Sequence, residues 1–203
     1  MAVNRYGHFA AVTNVRKAGT GGVRSRGALA VDFLSAERPM LENYLEKLAS
    51  SADDFDGYNF IGFDGTQLGW FNNVEGQYRL LKAGIYGLSN ASLDTAWPKV
   101  MRLKDGYDTA VERSGQAEDY LFRLLEDKTL ADDDSLPNTG VDLELERQLS
   151  PIFIEGDTYG TRCSTIYTLD FNRKARFIER RFSPTRVLIG ETTEEFEIEV
   201  SAA

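Results

Sequence analysis

Apolar side chains recur at helical spacing in several parts of the chain. Leu41, Leu45 and Leu48 follow the i, i+4, i+7 pattern that is typical of an amphipathic helix packed on a core. The same kind of spacing continues through the middle of the sequence. It predicts helices near 28–34, over 38–50, from 98 to about 113, over 117–125 and over 141–149.

The helix that begins at Pro98 carries local start signals. Proline fits the first turn of a helix because its missing N–H has no intrahelical partner there. Asp94 or Thr95 could cap this helix with a side-chain oxygen. We expect its buried stripe to consist of Trp97, Val100, Met101 and Val111.

Strand-like segments surround these helices. Asp64-Gly65 lies between two apolar runs and gives a strong hairpin signal. The final third of the chain alternates apolar and polar residues with period two. The predicted strands are 9–15, 58–63, 67–71, 77–81, 84–89, 163–169, 175–182 and 194–200. Strands, then helices, then strands indicate an α+β fold with antiparallel sheets, formed by one domain over 1–203.

Composition narrows the function classes. The net charge is −9, so no nucleic-acid partner is expected, because phosphate binding needs a basic face. No apolar run reaches the roughly 18 residues of a membrane span. The single cysteine, Cys163, excludes an internal disulfide and favours a cytoplasmic location.

Polar side chains stand where three apolar strands end or begin. Asn14 and Asn90 are either turn-forming residues or donors to a ligand. Arg162 can grip a carboxylate bidentately, or can form an ion pair with an acidic residue of the chain. We expect Asn14, Asn90 and Arg162 to converge on one pocket for a small-molecule ligand. Arg16 opens a glycine-rich loop, 16–27, that is a candidate part of this site.

The remaining reactive side chains give little support for other chemistry. Cys163 is either a small core residue or a nucleophile whose pKa Arg162 lowers. His8 is the one histidine, and we expect it at the surface. Without a second histidine the sequence predicts neither a triad nor a metal site, and no cofactor is expected.

Six segments carry a resemblance that covers nearly the whole chain. Their order and spacing are similar to those of the NRDE family, also called the transport and Golgi organisation protein two family. The segments are FAAVTNVR (9–16), SRG (25–27), YNFIGFD (58–64), GLSNASLDTAWPKV (87–100), ERQLSPIFI (146–154) and YGTRCSTI (159–166).

This resemblance implies a fold and a chemistry. The family is similar to the N-terminal-nucleophile hydrolases, which form an αββα sandwich of two antiparallel sheets between helix layers. In the branch of bile-salt hydrolases and penicillin V acylases, an N-terminal cysteine attacks an amide. The resemblance then gives Asn14, Asn90 and Arg162 supporting roles around the oxyanion, the amine and the thiol.

The start of the sequence departs from the family pattern. Members usually begin with Met-Cys, whereas this chain begins Met1-Ala2-Val3. We therefore expect an N-terminal strand to be missing and the chain to be catalytically incomplete, unable to hydrolyse amides such as penicillin V. The neighbour of that strand, 9–15 or a C-terminal strand, would expose an edge and favour self-association.

Three functions follow from these observations. The first is a catalytically incomplete domain that binds a small carboxylate- or amide-bearing ligand. The second is a cysteine amidohydrolase whose nucleophile segment is absent from this chain. The third is the haem-handling or trafficking role that is associated with some family members.

Overall fold

The structure is a computed structural model that describes residues 1–16, 22–36, 39–113, 115–156 and 158–199. The chain divides into two compact units. The first contains Met1–Thr95 together with the chain from Glu197, and the second contains Ala96–Phe196. The elements are β1 (Ala2–Val3), β2 (Phe9–Asn14), α1 (Gly27–Leu34), α2 (Leu41–Ser50), β3 (Tyr58–Phe63), β4 (Leu68–Asn72), β5 (Gln77–Leu81), α3 (Pro98–Val111), α4 (Ala117–Leu125), α5 (Leu143–Gln148), β6 (Cys163–Leu169), β7 (Lys174–Phe182) and β8 (Leu188–Glu197).

The first unit contains a five-stranded antiparallel sheet in the order β1-β2-β3-β4-β5. β2 pairs with β3 over its whole length, from Phe9 opposite Phe63 to Asn14 opposite Tyr58. β1 pairs with Phe9 and Ala10 on the other side of β2. The predicted β3–β4 hairpin is confirmed, and Gly65 at its turn has a φ of +95°.

Helices α1 and α2 pack on one face of this sheet. Phe60 and every second residue from it along β3 point to that face, because side chains alternate along a strand. The leucines that predicted α2 are all buried there, which confirms the helical spacing. The core consists of Ala10, Leu29, Phe33, Leu41, Leu45, Leu48, Phe55, Tyr58, Phe60 and Phe71.

Tyr58 in this core and Tyr44, which packs against it, differ in whether their hydroxyls form a hydrogen bond. Tyr44 donates to the Leu29 carbonyl at 2.7 Å. The Tyr58 hydroxyl is buried and has no hydrogen-bond partner among the residues that the structure describes. An unsatisfied buried hydroxyl opposes folding because it has lost its water without replacement.

Matched substitutions should therefore have opposite effects. Tyr58→Phe is expected to raise the free energy of unfolding by about 1 kcal/mol, whereas Tyr44→Phe should lower it by about 1 kcal/mol. Urea unfolding of the two variants beside the parent chain measures both changes. A loss of stability in Tyr58→Phe would mean that its hydroxyl has a partner.

The second unit contains a three-stranded sheet in the order β6-β7-β8. β6 and β7 pair antiparallel from Cys163 opposite Arg181 to Leu169 opposite Ala175. Helix α4, predicted at its observed bounds, buries Phe122 against Ile166 and Ile178. The prediction of an α+β fold with antiparallel sheets is confirmed.

The buried stripe predicted for α3 is only partly correct. Val100 is buried, but Met101 and Val111 are 44% and 65% exposed. The inward stripe of α3 uses Gly106 and Ala110 instead. Helical phase, rather than side-chain size, decides which of these positions face inward.

The segment before α3 also differs from its prediction. Residues 84–89 form no strand, because the Gly87 N–H is bonded to the Asp94 carboxylate at 2.8 Å instead of a neighbouring strand. Asp94 and Thr95 do not cap α3: Asp94 has a φ of 59°, and Thr95 donates its hydroxyl to the Ser92 carbonyl. The residue that precedes the first turn is Trp97.

Other element boundaries shift by a few residues. α2 begins at Leu41, and Arg38, where the sequence predicted its start, lies outside the described residues. β8 begins at Leu188 rather than at Glu194. Residues 17–21 of the glycine-rich loop are also outside the described residues.

Candidate functional site

Asn14 lies at the end of β2 and is exposed. Its side-chain amide has no hydrogen-bond partner among the described residues. Its carbonyl oxygen accepts the Asn90 side-chain N–H at 2.9 Å. The Asn14 amide can therefore meet a ligand without first breaking a bond inside the protein.

Asn90 holds the chain just beyond β2. Besides the bond from its Nδ2 to Asn14, its carbonyl accepts the Arg16 backbone N–H at 2.9 Å. Asn14, Arg16 and Asn90 thus lie together in the first unit. The ligand pocket that Asn14 and Asn90 were expected to form with Arg162 stays a prediction. The Asn90 amide donates to the main chain of β2 rather than to its own turn.

Arg26 belongs to the same region, although sequence reasoning did not select it. It is half-buried, and its Nη1 donates to the Gly57 carbonyl at 3.0 Å. The same carbonyl accepts the Val15 N–H at 2.9 Å, which brings the guanidinium next to the end of β2. In the sequence, Arg26 is marked only by its place in the SRG segment at 25–27. Nothing in that segment shows that Arg26 differs in its surroundings from Arg24.

Arg24 and Arg26 have different electrostatic surroundings. Arg24 lies within 3.6 Å of the Asp32 carboxylate and 3.7 Å of the Asp54 carboxylate. Arg26 has no carboxylate partner among the residues that the structure describes. Its positive charge is therefore left for a ligand or for solvent.

Two contacts fix the segment that carries these arginines. The Gly22 N–H donates to the Asp56 carboxylate at 3.3 Å, and the Arg24 N–H donates to the Asp54 carbonyl at 3.1 Å. Gly22 lies against the backbone, since a Cβ built on it would come 2.2 Å from the Asp56 nitrogen. This close approach sets the position from which Arg26 reaches Gly57.

Arg162 and Cys163 belong to the second unit. Arg162 is exposed, its carbonyl accepts the Phe182 N–H at 2.8 Å, and its guanidinium has no ion pair with the described residues. Cys163 is a free, exposed cysteine at the start of β6, so the interpretation as a core residue is wrong. Its position directly opposite Arg181 at the end of the β6–β7 ladder leaves the thiol open to solvent.

His8 is buried rather than at the surface, because it packs inside a turn that Asn4 organises. The side-chain Oδ1 of Asn4 accepts the N–H groups of Tyr6 and His8, so its Nδ2 is the donor that bonds His8 Nδ1 at 3.1 Å. Burial lowers the pKa of His8, and the Asp64 carboxylate opposes that shift. The neutral ring, with Nδ1 as acceptor, is the form that fits this turn.

Stability should therefore fall as the pH is lowered. The unfolded chain binds a proton at His8 at a higher pH than the folded chain, so the free energy of unfolding declines between the two pKa values. Unfolding in urea from about pH 7.5 to about pH 5.5 measures the decline. His8→Gln should reduce it, and an unchanged slope in that variant would contradict this assignment.

Asp64 should not contribute to that decline. Burial works against its ionisation, but hydrogen bonds from Gln67, Thr66 and Leu41 outweigh burial and lower the pKa of its carboxyl. It stays ionised throughout the range of the experiment.

In the part of the chain that the structure describes, none of the helices has the length and apolar character that crossing a membrane requires. No group of three or more His, Cys, Asp or Glu side chains there could hold a metal ion.

Comparison with known proteins identifies the family. The model of the family described as Transport and Golgi organisation 2 matches residues 1–184. A Transport and Golgi organization 2 homolog of Mus musculus is 32% identical over 171 residues, which cover 77% of this chain and 62% of the mouse protein. The Transport and Golgi organization protein 2 homolog of Bos taurus is 30% identical over 217 residues, 98% of this chain and 78% of its own length.

The corresponding Homo sapiens homolog is 29% identical over 195 residues, which cover 89% of this chain and 70% of the human protein. The matched region spans less than two thirds of the mouse relative but more than two thirds of the other two. The family match runs through β2, the segment with Arg26, Asn90 and the β6 start. This chain belongs to the Transport and Golgi organisation 2 family.

Proposed function

We propose that this chain binds a small molecule that carries a carboxylate group. The site for that carboxylate lies at the end of β2. The observation that carries the proposal is the uncompensated charge of Arg26, a half-buried guanidinium bonded only to the Gly57 carbonyl among the described residues. A buried or half-buried charge without a partner is unfavourable, so a ligand carboxylate would relieve a cost that the free protein bears.

The chemistry of a guanidinium favours a carboxylate over an amide. Arg26 uses one N–H on Gly57, which leaves four for a planar acceptor. A carboxylate can take two of these donors at once, whereas a neutral amide offers a single oxygen. The exposed side-chain amide of Asn14, at the end of β2, supplies a further donor and acceptor.

Asn90 has a different part in this proposal. Its side chain is engaged with the Asn14 carbonyl and its own carbonyl with the Arg16 N–H. Asn90 therefore fixes the end of β2, where the proposed ligand-binding groups lie.

Calorimetric titration with N-acetylphenylalanine and with its amide tests the proposal. The carboxylate should bind, and the amide should bind at least about tenfold more weakly, since a charged hydrogen bond contributes more than a neutral one. Arg26→Gln should weaken binding of the carboxylate by about tenfold or more. If the parent chain binds neither compound, the proposal is wrong.

Two further variants separate ligand binding from a structural role. Arg24→Gln is the matched control, because Arg24 is already paired with Asp32 and Asp54 and should not affect affinity. Arg26→Lys keeps a donor for Gly57 but loses the bidentate geometry, so it should bind nearly as weakly as Arg26→Gln. Equal affinity in Arg26→Lys and the parent chain would show that only the charge matters.

The sequence also predicts that Arg162 contributes to ligand binding. Its exposed guanidinium, without an ion pair among the described residues, is compatible with that prediction.

A further inference from the structure

Residues 87–95, here called the strap, form a loop that closes on itself. The Asp94 N–H donates to the Gly87 carbonyl at 2.8 Å, and the Gly87 N–H donates to the Asp94 carboxylate at the same distance. The strap contains Asn90, so whatever attaches the strap to the sheet also sets the position of Asn90.

Two side chains of the sheet hold the strap on either side of Asn90. The Thr13 hydroxyl donates to the Ser89 carbonyl at 2.7 Å. The Asn59 Nδ2 donates to the Ala91 carbonyl at 2.8 Å. Thr13 and Asn59 face each other on β2 and β3 and lie on the sheet face opposite the helices.

Asn59 is fully buried, and its amide is fully satisfied. Besides the bond to Ala91, its Nδ2 donates to the Thr13 hydroxyl at 3.1 Å. Its Oδ1 accepts the Trp70 Nε1–H and the Asn72 Nδ2–H, each at 3.0 Å. All four hydrogen-bonding positions of the amide are used.

The neighbours leave one orientation for this amide. The indole of Trp70 can only donate, so the oxygen of Asn59 must face it. Asn72 is fixed in turn, because its own Oδ1 accepts the N–H groups of Val74 and Glu75 at 2.9 Å and 3.0 Å. Both N–H groups of Asn59 are therefore directed at Thr13 and the strap.

We propose that Asn59 is a positioning residue that attaches the strap to the sheet and thereby holds Asn90 against the end of β2. Its donors reach the strap directly through Ala91 and indirectly through Thr13, which bonds Ser89. Attachment of the strap stands on these contacts alone. The consequence for ligand affinity rests on the proposed function.

Amide hydrogen exchange in Asn59→Asp tests the attachment. The substitution keeps the size and the acceptors of the side chain and removes N–H donors. The Arg16 N–H, which bonds the Asn90 carbonyl, and the Asp94 N–H are the reporters, and NMR should show their exchange accelerated about tenfold relative to amides of α2. Exchange that changes equally in the strap and in α2 would overturn the proposal.

Asn73→Asp is the matched control. Asn73 also bonds backbone groups, those of Tyr58, Ala52 and Phe55, but none in the strap. It should lower stability without accelerating the strap reporters selectively. Thr13→Val is the second variant if Asn59→Asp does not fold, and it should release the strap in the same selective way.

Affinity for N-acetylphenylalanine is the second readout. Asn59→Asp should weaken binding by about tenfold, because the end of β2 is no longer held by the strap. A parent chain that binds no carboxylate, with a strap still released by Asn59→Asp, would refute the proposed function and support the attachment. Selective release of the strap with unchanged affinity would overturn the role of Asn59 in the ligand site.

Discussion

Replacing Gly22 with alanine should lower the free energy of unfolding by about 1–3 kcal/mol, the usual range for overpacking a close contact. A Cβ at this position would lie 2.2 Å from the Asp56 nitrogen and 2.3 Å from the Phe55 carbonyl carbon. Both are backbone atoms, which cannot rotate away as a side-chain end can. The chain at Gly22 must therefore retreat from the turn that it contacts.

That retreat should also impair ligand binding. Gly22 and Arg24 attach their segment to Asp56 and Asp54, and Arg26 follows two residues later. A displaced segment would move the guanidinium from Gly57. The affinity for N-acetylphenylalanine should fall by at least about tenfold.

Gly27→Ala is the matched control for this substitution. Among the described residues, a Cβ there would meet only the Ser25 hydroxyl, at 3.6 Å, and Gly27 begins α1. Alanine favours the helix over glycine, so stability should be unchanged or slightly higher. Urea unfolding and calorimetry on the two variants measure both effects. Equal behaviour of Gly22→Ala and Gly27→Ala would contradict this account of the segment.

Local patterns in the sequence predicted much of the fold. The leucines of α2 and the Asp64-Gly65 turn carry their signals within a few residues, and both elements were predicted correctly. Prediction was wrong where tertiary contacts decide the outcome. Residues 84–89 resemble a strand, but the Thr13 hydroxyl of β2 binds the Ser89 carbonyl, and the Asp94 carboxylate takes the Gly87 N–H and closes a loop.

In the candidate site, too, local patterns were visible in the sequence and tertiary contacts were not. The sequence selected Asn14 and Asn90 because they follow apolar segments, and the Asn90 side chain bonds the Asn14 carbonyl. Their part in a ligand site stays a prediction. Arg26 was not selected, because sequence alone does not show that Arg24 meets Asp32 and Asp54 while Arg26 meets none of the described carboxylates. Asn59 was also missed, since it lies inside an apolar strand and its partners come from β2, β4 and the strap.

Large-to-small substitutions in the two cores should have the strongest effects on stability. Phe60 is fully buried in the first unit between Phe33 and Tyr44, with ring centroids at 5.6 Å and 5.3 Å. Phe122 is buried in the second unit beneath Arg180, whose guanidinium carbon lies 3.9 Å from the ring centroid. Each substitution by alanine should lower the free energy of unfolding by about 3–5 kcal/mol.

The same two variants test the prediction of one domain. The chain has two tryptophans, and Trp97→Phe leaves Trp70 as a fluorescent reporter of the first unit alone. If residues 1–203 unfold as one cooperative domain, Phe122→Ala must lower the urea midpoint reported by Trp70, although Phe122 belongs to the other unit. Phe60→Ala in the same background is the positive control, because it lies in the unit that Trp70 reports. A Trp70 transition that Phe60→Ala shifts and Phe122→Ala leaves in place would mean that the two units unfold independently, since a two-state domain cannot lose stability in only one of its parts.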